Sequence, residues 1–146
     1  MLYSLANYKV AISIKDSILK TAFGDVLTVG GNGSQLDSMS VDFNASIFSK
    51  QTYSTGGYVF DKSYDRSGSL SITLNQLSEE VGKFKNLINM YYAGDYETLS
   101  IVLTNNENEK VIEMIDCLPS KIPTQQFQNS AQPQTWGFEV GRITVY

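Results

Sequence analysis

Tyr58-Val59-Phe60-Asp61-Lys62-Ser63-Tyr64-Asp65-Arg66-Ser67-Gly68-Ser69-Leu70-Ser71-Ile72-Thr73-Leu74 is the stretch that decides the fold. Tyr58, Phe60, Tyr64, Leu70, Ile72 and Leu74 share one parity; Asp61, Ser63, Asp65, Ser67, Ser69, Ser71 and Thr73 share the other. Period two over that length predicts a half-buried strand. Upstream, Met39, Val41, Phe43, Ala45 and Ile47 alternate with Ser40, Asp42, Asn44 and Ser46. The turn signal Thr55-Gly56-Gly57 joins the two, so residues 37–77 read as one long hairpin. An unbroken arm of roughly 17 residues would span about 55 Å. A compact chain of this length is only about 35–40 Å across. The far end of the ribbon therefore needs cover from outside its own globule, and sister copies supply it most simply, because open strand edges pair readily.

The rest of the chain supports a single mainly β domain over residues 1–146. With 146 residues it can bury a core without staples, and its 9 Tyr, 7 Phe and many Ser and Thr favour strands over helices. Lys9 to Lys15 alternates around Val10, Ile12 and Ile14, predicting a strand near a sheet edge with one wet face. A short strand is expected around Val26 to Val29, followed by a flexible Gly-rich loop through Gly33. Ser78-Glu79-Glu80 opens a helix over about 78–92, with Leu77, Val81, Phe84, Leu87, Ile88 and Tyr91 on one face and Gly94 at its end. Leu99 to Leu103 and Val111 to Cys117 predict a hairpin, and Pro119 to Pro133 a surface loop. Trp136, Phe138 and Val140 differ in parity from Ile143 and Val145, so a bulge at Gly141-Arg142 is expected to keep both sets on the core side.

Several chemistries are excluded by composition. There is no histidine, which removes Ser-His-Asp triads, His general bases and imidazole metal sites. Asp61 and Asp65 stand roughly 13 Å apart along a strand, too far for either glycosidase arrangement. Gly30-Gly31-Asn32-Gly33 lacks the lysine and helix of a phosphate loop. Asp25, Asp37 and Asp42 lack calcium-loop spacing, and Asn44-Ala45-Ser46 is a chance glycosylation triplet without a secretion signal. A net charge of −4 with no cationic cluster argues against duplex binding. Cys117, the lone cysteine, reads as a buried thiol. No cofactor and no membrane span are expected, and the Met-Leu-Tyr-Ser start predicts no signal peptide and a cytoplasmic site of synthesis. Tyr53, Tyr58, Phe60 and Tyr64 are candidate subunit contacts, together with Lys50 and Arg66, since Tyr suits a boundary between apolar and wet surface.

The run from Asp65-Arg66-Ser67-Gly68 through Leu70, Ile72 and Leu74 to Ser78, followed directly by a helix, resembles the tail tube protein family of contractile-tailed bacteriophages and phage-tail-like bacteriocins. The closing Trp136-Gly137-Phe138-Glu139-Val140 strand is also similar to that family's last strand. The resemblance implies a β-sandwich or barrel-like tail-tube fold with a long hairpin and one packed α-helix, and a structural, non-enzymatic subunit. It further implies hexameric rings stacked into a hollow conduit for DNA passage or membrane puncture, inside a contractile sheath. The implied partners are the same chain, sheath, baseplate, tape-measure and tail-terminator proteins, and the implied location is a virion tail or bacteriocin particle assembled in a bacterial host. Asp42, Asn44, Ser46, Asp61, Ser63 and Asp65 would then line an acidic bore past which DNA slides without specific binding. Arg66, on the core parity, would pair with an acid at a subunit boundary. The rival from another class is a monomeric β-sandwich binding through a Tyr-rich loop, its hairpin arms bent over one core.

Overall fold

The computed structural model describes residues 5–30 and 36–146. Nine strands and two α-helices follow a short 3-10 turn: β1 Lys9–Ser13, α1 Ser17–Phe23, β2 Val26–Gly30, β3 Leu36–Phe43, β4 Phe48–Thr52, β5 Tyr58–Lys62, β6 Gly68–Asn75, α2 Glu79–Ala93, β7 Leu99–Thr104, β8 Lys110–Pro119 and β9 Pro133–Val145. Seven strands form one antiparallel sheet in the order β2-β1-β7-β8-β9-β6-β3, while β4 and β5 form a separate ribbon. Strand β1 lies one place in from the edge, and the surface loop falls at residues 120–132. The Gly-rich stretch beyond Gly30 and the first four residues lie outside the described residues.

The sheet curls into a half-barrel, and chain length requires it to. Strands β2 and β3 occupy opposite edges, which in a flat seven-stranded sheet would lie about 29 Å apart. The chain from Gly30 to Leu36 reaches about 20 Å at full extension. The edges accordingly approach: a Cβ built on Gly30 would lie 3.2 Å from Leu36 Cδ2.

The apolar positions of the seven-stranded sheet point into the curl. Leu70, Ile72 and Leu74 on β6 pair with Phe138, Trp136 and Gln134 on β9, and all six are buried. Helix α2 closes this face by laying Phe84 against Trp136 and Phe138, ring centroids 5.8 Å apart in both pairs. Burying each such side chain is worth roughly 1.5–3 kcal/mol, which outweighs the weak intrinsic preference of a 15-residue helix. Val81, Leu87 and Ile88 join that buried stripe. Leu77, expected on it, is 76% exposed, because it precedes the first helical turn. The opposite face of the sheet carries Ser69, Ser71, Thr73, Thr135 and Glu139.

Two local features differ from the sequence reading. Helix α1 was not expected; Asp16 caps it by accepting from Ile18 N and Leu19 N, and also accepts from Glu97 N ahead of β7. Burial raises the Asp16 pKa, but these three N–H groups together outweigh it and hold the carboxyl below its ordinary value. The bulge expected at Gly141-Arg142 gives no register shift between β8 and β9; both strands instead change parity together there, buried residues passing from Met114 to Cys117 on β8 and from Val140 to Ile143 on β9 while the pairing continues. Asp116, opposite Gly141, takes φ 57, a left-handed conformation that marks the offset. Ile143 is buried as expected; Val145 is exposed at the end of the strand, where no element covers it.

Cys117 is fully buried, and desolvation pushes its thiol up to about 12, with Asp116 adding to the rise. Native protein should therefore resist thiol reagents at neutral pH and react promptly once unfolded. Because the folded value lies above the ordinary value of 9.0, the unfolded chain loses its proton first; stability should fall as pH climbs from about 9 to about 12. A labelling time course and a pH series of unfolding midpoints check both halves.

Candidate assembly interface

The hairpin is continuous in topology but broken in geometry. Its base, β3 on β6, ends at the pair Phe43 and Gly68; its tip, β4 on β5, begins at Phe48 and Lys62. Between these pairs, residues 44–47 on the outgoing arm face residues 63–67 on the return, so the ladder slips by one position. The unbroken arm expected from sequence is thus corrected to two ladders with an irregular joint. Short polar side chains make the joint by capturing backbone groups that would otherwise extend the strands. Asp65 accepts from Ser67 N at 2.9 Å and from Ser67 Oγ at 2.6 Å, and Ser63 Oγ accepts from Asp65 N at 3.3 Å. Across the joint, Asn44 donates through its amide to Ser67 Oγ and through its backbone N–H to Ser67 O. The Ser67 side chain first, then its backbone N–H, hold the Asp65 carboxyl below the usual range.

Beyond the joint the ribbon stands clear of the globule. Every residue of β4 and β5 is exposed, including Phe48, Tyr58, Val59 and Phe60. The tip closes at Gly56, φ 89, where Tyr53 O accepts from Gly56 N and Gly57 O accepts from Tyr53 N. This arrangement does not match the monomeric sandwich alternative, whose arms would fold over one core. The ribbon has two chemically distinct faces. Phe48, Lys50, Tyr58, Phe60 and Lys62 share one, from the pairings of Phe48 with Lys62 and Lys50 with Phe60. Tyr58 meets Phe60 edge to face at 5.7 Å, and the Lys50 ammonium stands 5.1 Å from the Tyr58 ring centroid. The other face pairs Ser49 with Asp61 and Gln51 with Val59, and Gln51 donates to Asp61 at 3.0 Å.

The residues singled out from sequence fall as follows. Lys50, Tyr58 and Phe60 come together on the aromatic face, Tyr53 stands in the tip turn, and Tyr64 and Arg66 lie in the joint. Lys62 covers Tyr64 at 5.2 Å from its centroid. Arg66 is exposed and makes no salt bridge among the described residues. Of the six polar candidates, Asp42 lies opposite Ser69 on the base ladder and Asp61 on the tip ladder. Asn44, Ser46, Ser63 and Asp65 lie in the joint, so the six do not form one uninterrupted row. Phe48 and Val59 escaped the sequence reading; the slip that sets Phe48 opposite Lys62, on the face of Tyr58 and Phe60, is invisible to a parity count. Among the described residues, no group of three or more acidic or cysteine side chains is arranged to hold a metal ion.

The fold recurs in chains of contractile injection particles. A chain of the anti-feeding prophage baseplate superposes with a TM-score of 0.61 at 10% identity, covering 100% of this chain and 96% of that one. A chain of the anti-feeding prophage tube-terminating cap gives 0.56 at 13%, covering 100% and 93%. A chain of the sheath–tube complex of an extracellular contractile injection system, in its extended state, gives 0.55 at 14%, covering 99% and 92%. At these identities the likeness is one of fold. No protein-family model and no curated protein matches the sequence.

Proposed function

We propose that this chain is a non-enzymatic structural subunit of a phage-type contractile tail or injection particle, and specifically a tube subunit. Hexameric rings of it would stack into a hollow conduit within a sheath, seeded at a baseplate and closed by a terminator. The observation that carries the reading is the ribbon Phe48 to Lys62, with no residue buried and large apolar side chains exposed on both faces. Contiguous exposed apolar surface of this kind marks an interaction site, and two bare edges mark it for strand pairing. Ring closure satisfies both needs at once, since each ribbon then has a neighbour on either side. The fold shared with cap, baseplate and sheath–tube chains supports membership of such a particle. Asp42 and Asp61 on exposed faces suit an acidic bore, and the open polar face of β3 and β6 extends it.

Electron microscopy of concentrated protein, with and without a baseplate seed, tests the reading. Hollow tubes or rings far above 16.2 kDa are expected; a compact monomer under both conditions would sink it. Arg66→Ala should raise the concentration needed for assembly by roughly tenfold or more, because it leaves a boundary acid without its cation. Tubes forming at wild-type concentration would remove that role from Arg66.

A further inference from the structure

The two ends of the β3–β6 ladder carry opposite shapes and opposite charge. Strand β6 is 8 residues long, so its ends lie about 25 Å apart. At the Asn75 end, Gln76 fastens the otherwise irregular 120–132 segment on both sides of Phe127. Its side-chain amide donates to Gln126 O at 2.9 Å, its Oε1 accepts from Gln132 N at 3.2 Å, and its backbone N–H donates to Gln132 O at 3.0 Å. Phe127, held this way, is 88% exposed, the most exposed large hydrophobic among the described residues. Leu77 stands bare next to Gln76, with exposed Asp37 and Glu79 nearby. Neither acid has an ion pair among the described residues.

At the Gly68 end the joint encloses a groove of about 580 Å³ lined by Phe43, Ala45, Ile47 and Tyr64, with Lys62 and Arg66 at its side. Asp65 also lines it, but its carboxylate is engaged by Ser67. One end thus presents an apolar knob flanked by acids, and the other an apolar socket flanked by cations. A knob and socket at opposite ends of one molecule cannot satisfy each other within it. They match between copies related by translation, which gives a heterologous, open-ended contact.

We propose that the Leu77 and Phe127 end of one copy docks into the groove at the hairpin base of the next copy along the axis, so that Phe127 is the stacking contact. This deepens the tube reading and rests on it for the ring, while the contact itself is tested separately. The opposed charges, Asp37 and Glu79 against Lys62 and Arg66, would set the direction of stacking and make it weaken with salt.

Phe127→Asp lies on an exposed segment and should leave the monomer's unfolding midpoint unchanged. It should allow rings yet raise the concentration needed for tubes by roughly ten- to a hundredfold. A second measurement needs no tube. A chain carrying both Phe127→Cys and Ala45→Cys, treated with a mild thiol oxidant, should give a ladder of covalent multimers, whereas either single variant should stop at dimer. Cys117, buried and resistant to ionisation, stays out of the exchange. Tubes with no ladder overturn the stacking contact and leave the tube reading standing. A ladder with no rings supports the contact and overturns the hexameric conduit. Absence of both overturns both, and tubes of wild-type length from Phe127→Asp overturn the role of Phe127.

Discussion

Tyr58→Ser combined with Phe60→Ser should yield a folded monomer that no longer forms rings at any concentration where the parent does. Both side chains are more than half exposed on the ribbon, so the globule does not depend on them. Surface changes of this kind move stability by about 0.5 kcal/mol at most, or about 1–2 °C in unfolding midpoint. At an interface the same two side chains would contribute roughly 3–6 kcal/mol together, which weakens each contact by a factor of about 10² to 10⁴. The size of the term also favours a ring over a dimer. Burying Phe48, Tyr58, Val59 and Phe60 is worth on the order of 6–12 kcal/mol, comparable with the roughly 4–15 kcal/mol of freedom lost on association. One contact is therefore marginal. Closing a ring adds a contact without immobilising a further molecule, and that last contact decides the balance. Hydrogen exchange gives an independent readout: residues 45–66 should exchange fast in the monomer and slowly after assembly. Equal exchange in both states, or rings from the double variant, would contradict the ribbon's role.

How far the sequence reveals this arrangement depends on which forces act locally. The β6 strand and α2 were legible because burial on one face imposes a period, and Leu70, Ile72, Leu74 and Val81, Phe84, Leu87, Ile88 obey it. Helix α1 was not, since seven residues hold barely two turns; its signals were the capping Asp16 and the closing Gly24, φ 83. The curl of the sheet is a non-local consequence of strand order, which no window of residues contains. The joint in the hairpin was concealed for a different reason. Ser63, Asp65 and Ser67 fit a polar strand face as well as they fit turns built from side-chain bonds, and only the partner arm decides between them. Once the ladder slips, the faces beyond it exchange parity on one arm. That is why Tyr58 and Phe60 could be nominated without Phe48, which the slip sets on their face from the opposite arm. Phe127 and Leu77 were hidden more deeply still, because the network around Gln76 brings together segments fifty residues apart in sequence.

Gly68→Ala should cause the largest loss of stability of any single methyl addition to the described glycines. A Cβ there would fall 2.0 Å from Asp42 O and 2.5 Å from Ile143 Cδ1. The Ile143 methyl can rotate aside, but Asp42 O is backbone, and Gly68 is paired to Phe43 on one side and Val140 on the other. Relief therefore requires pushing the β3 backbone away from β6 at the end of their ladder. Overpacking a core commonly costs about 1–3 kcal/mol when side chains absorb it; with backbone in the way, the cost should exceed that range. Against a total of roughly 5–15 kcal/mol for a domain, part of the population should unfold. Gly82→Ala supplies the contrast. It adds the same methyl to α2, where nothing lies within 4 Å, and should stabilise the chain by roughly 0.5–1 kcal/mol through helix propensity. Opposite shifts of the two unfolding midpoints would fit this packing, whereas a Gly68→Ala midpoint at or above the parent's would show that β3 does not cross β6 so closely. The position matters beyond stability. Gly68 is where the base ladder ends and the joint begins, so the close crossing of β3 over β6 fixes the direction in which the ribbon leaves the globule. A Gly68→Ala chain that folds when stabilised by Gly82→Ala should still aim its ribbon wrongly, and should assemble poorly even where its monomer is intact.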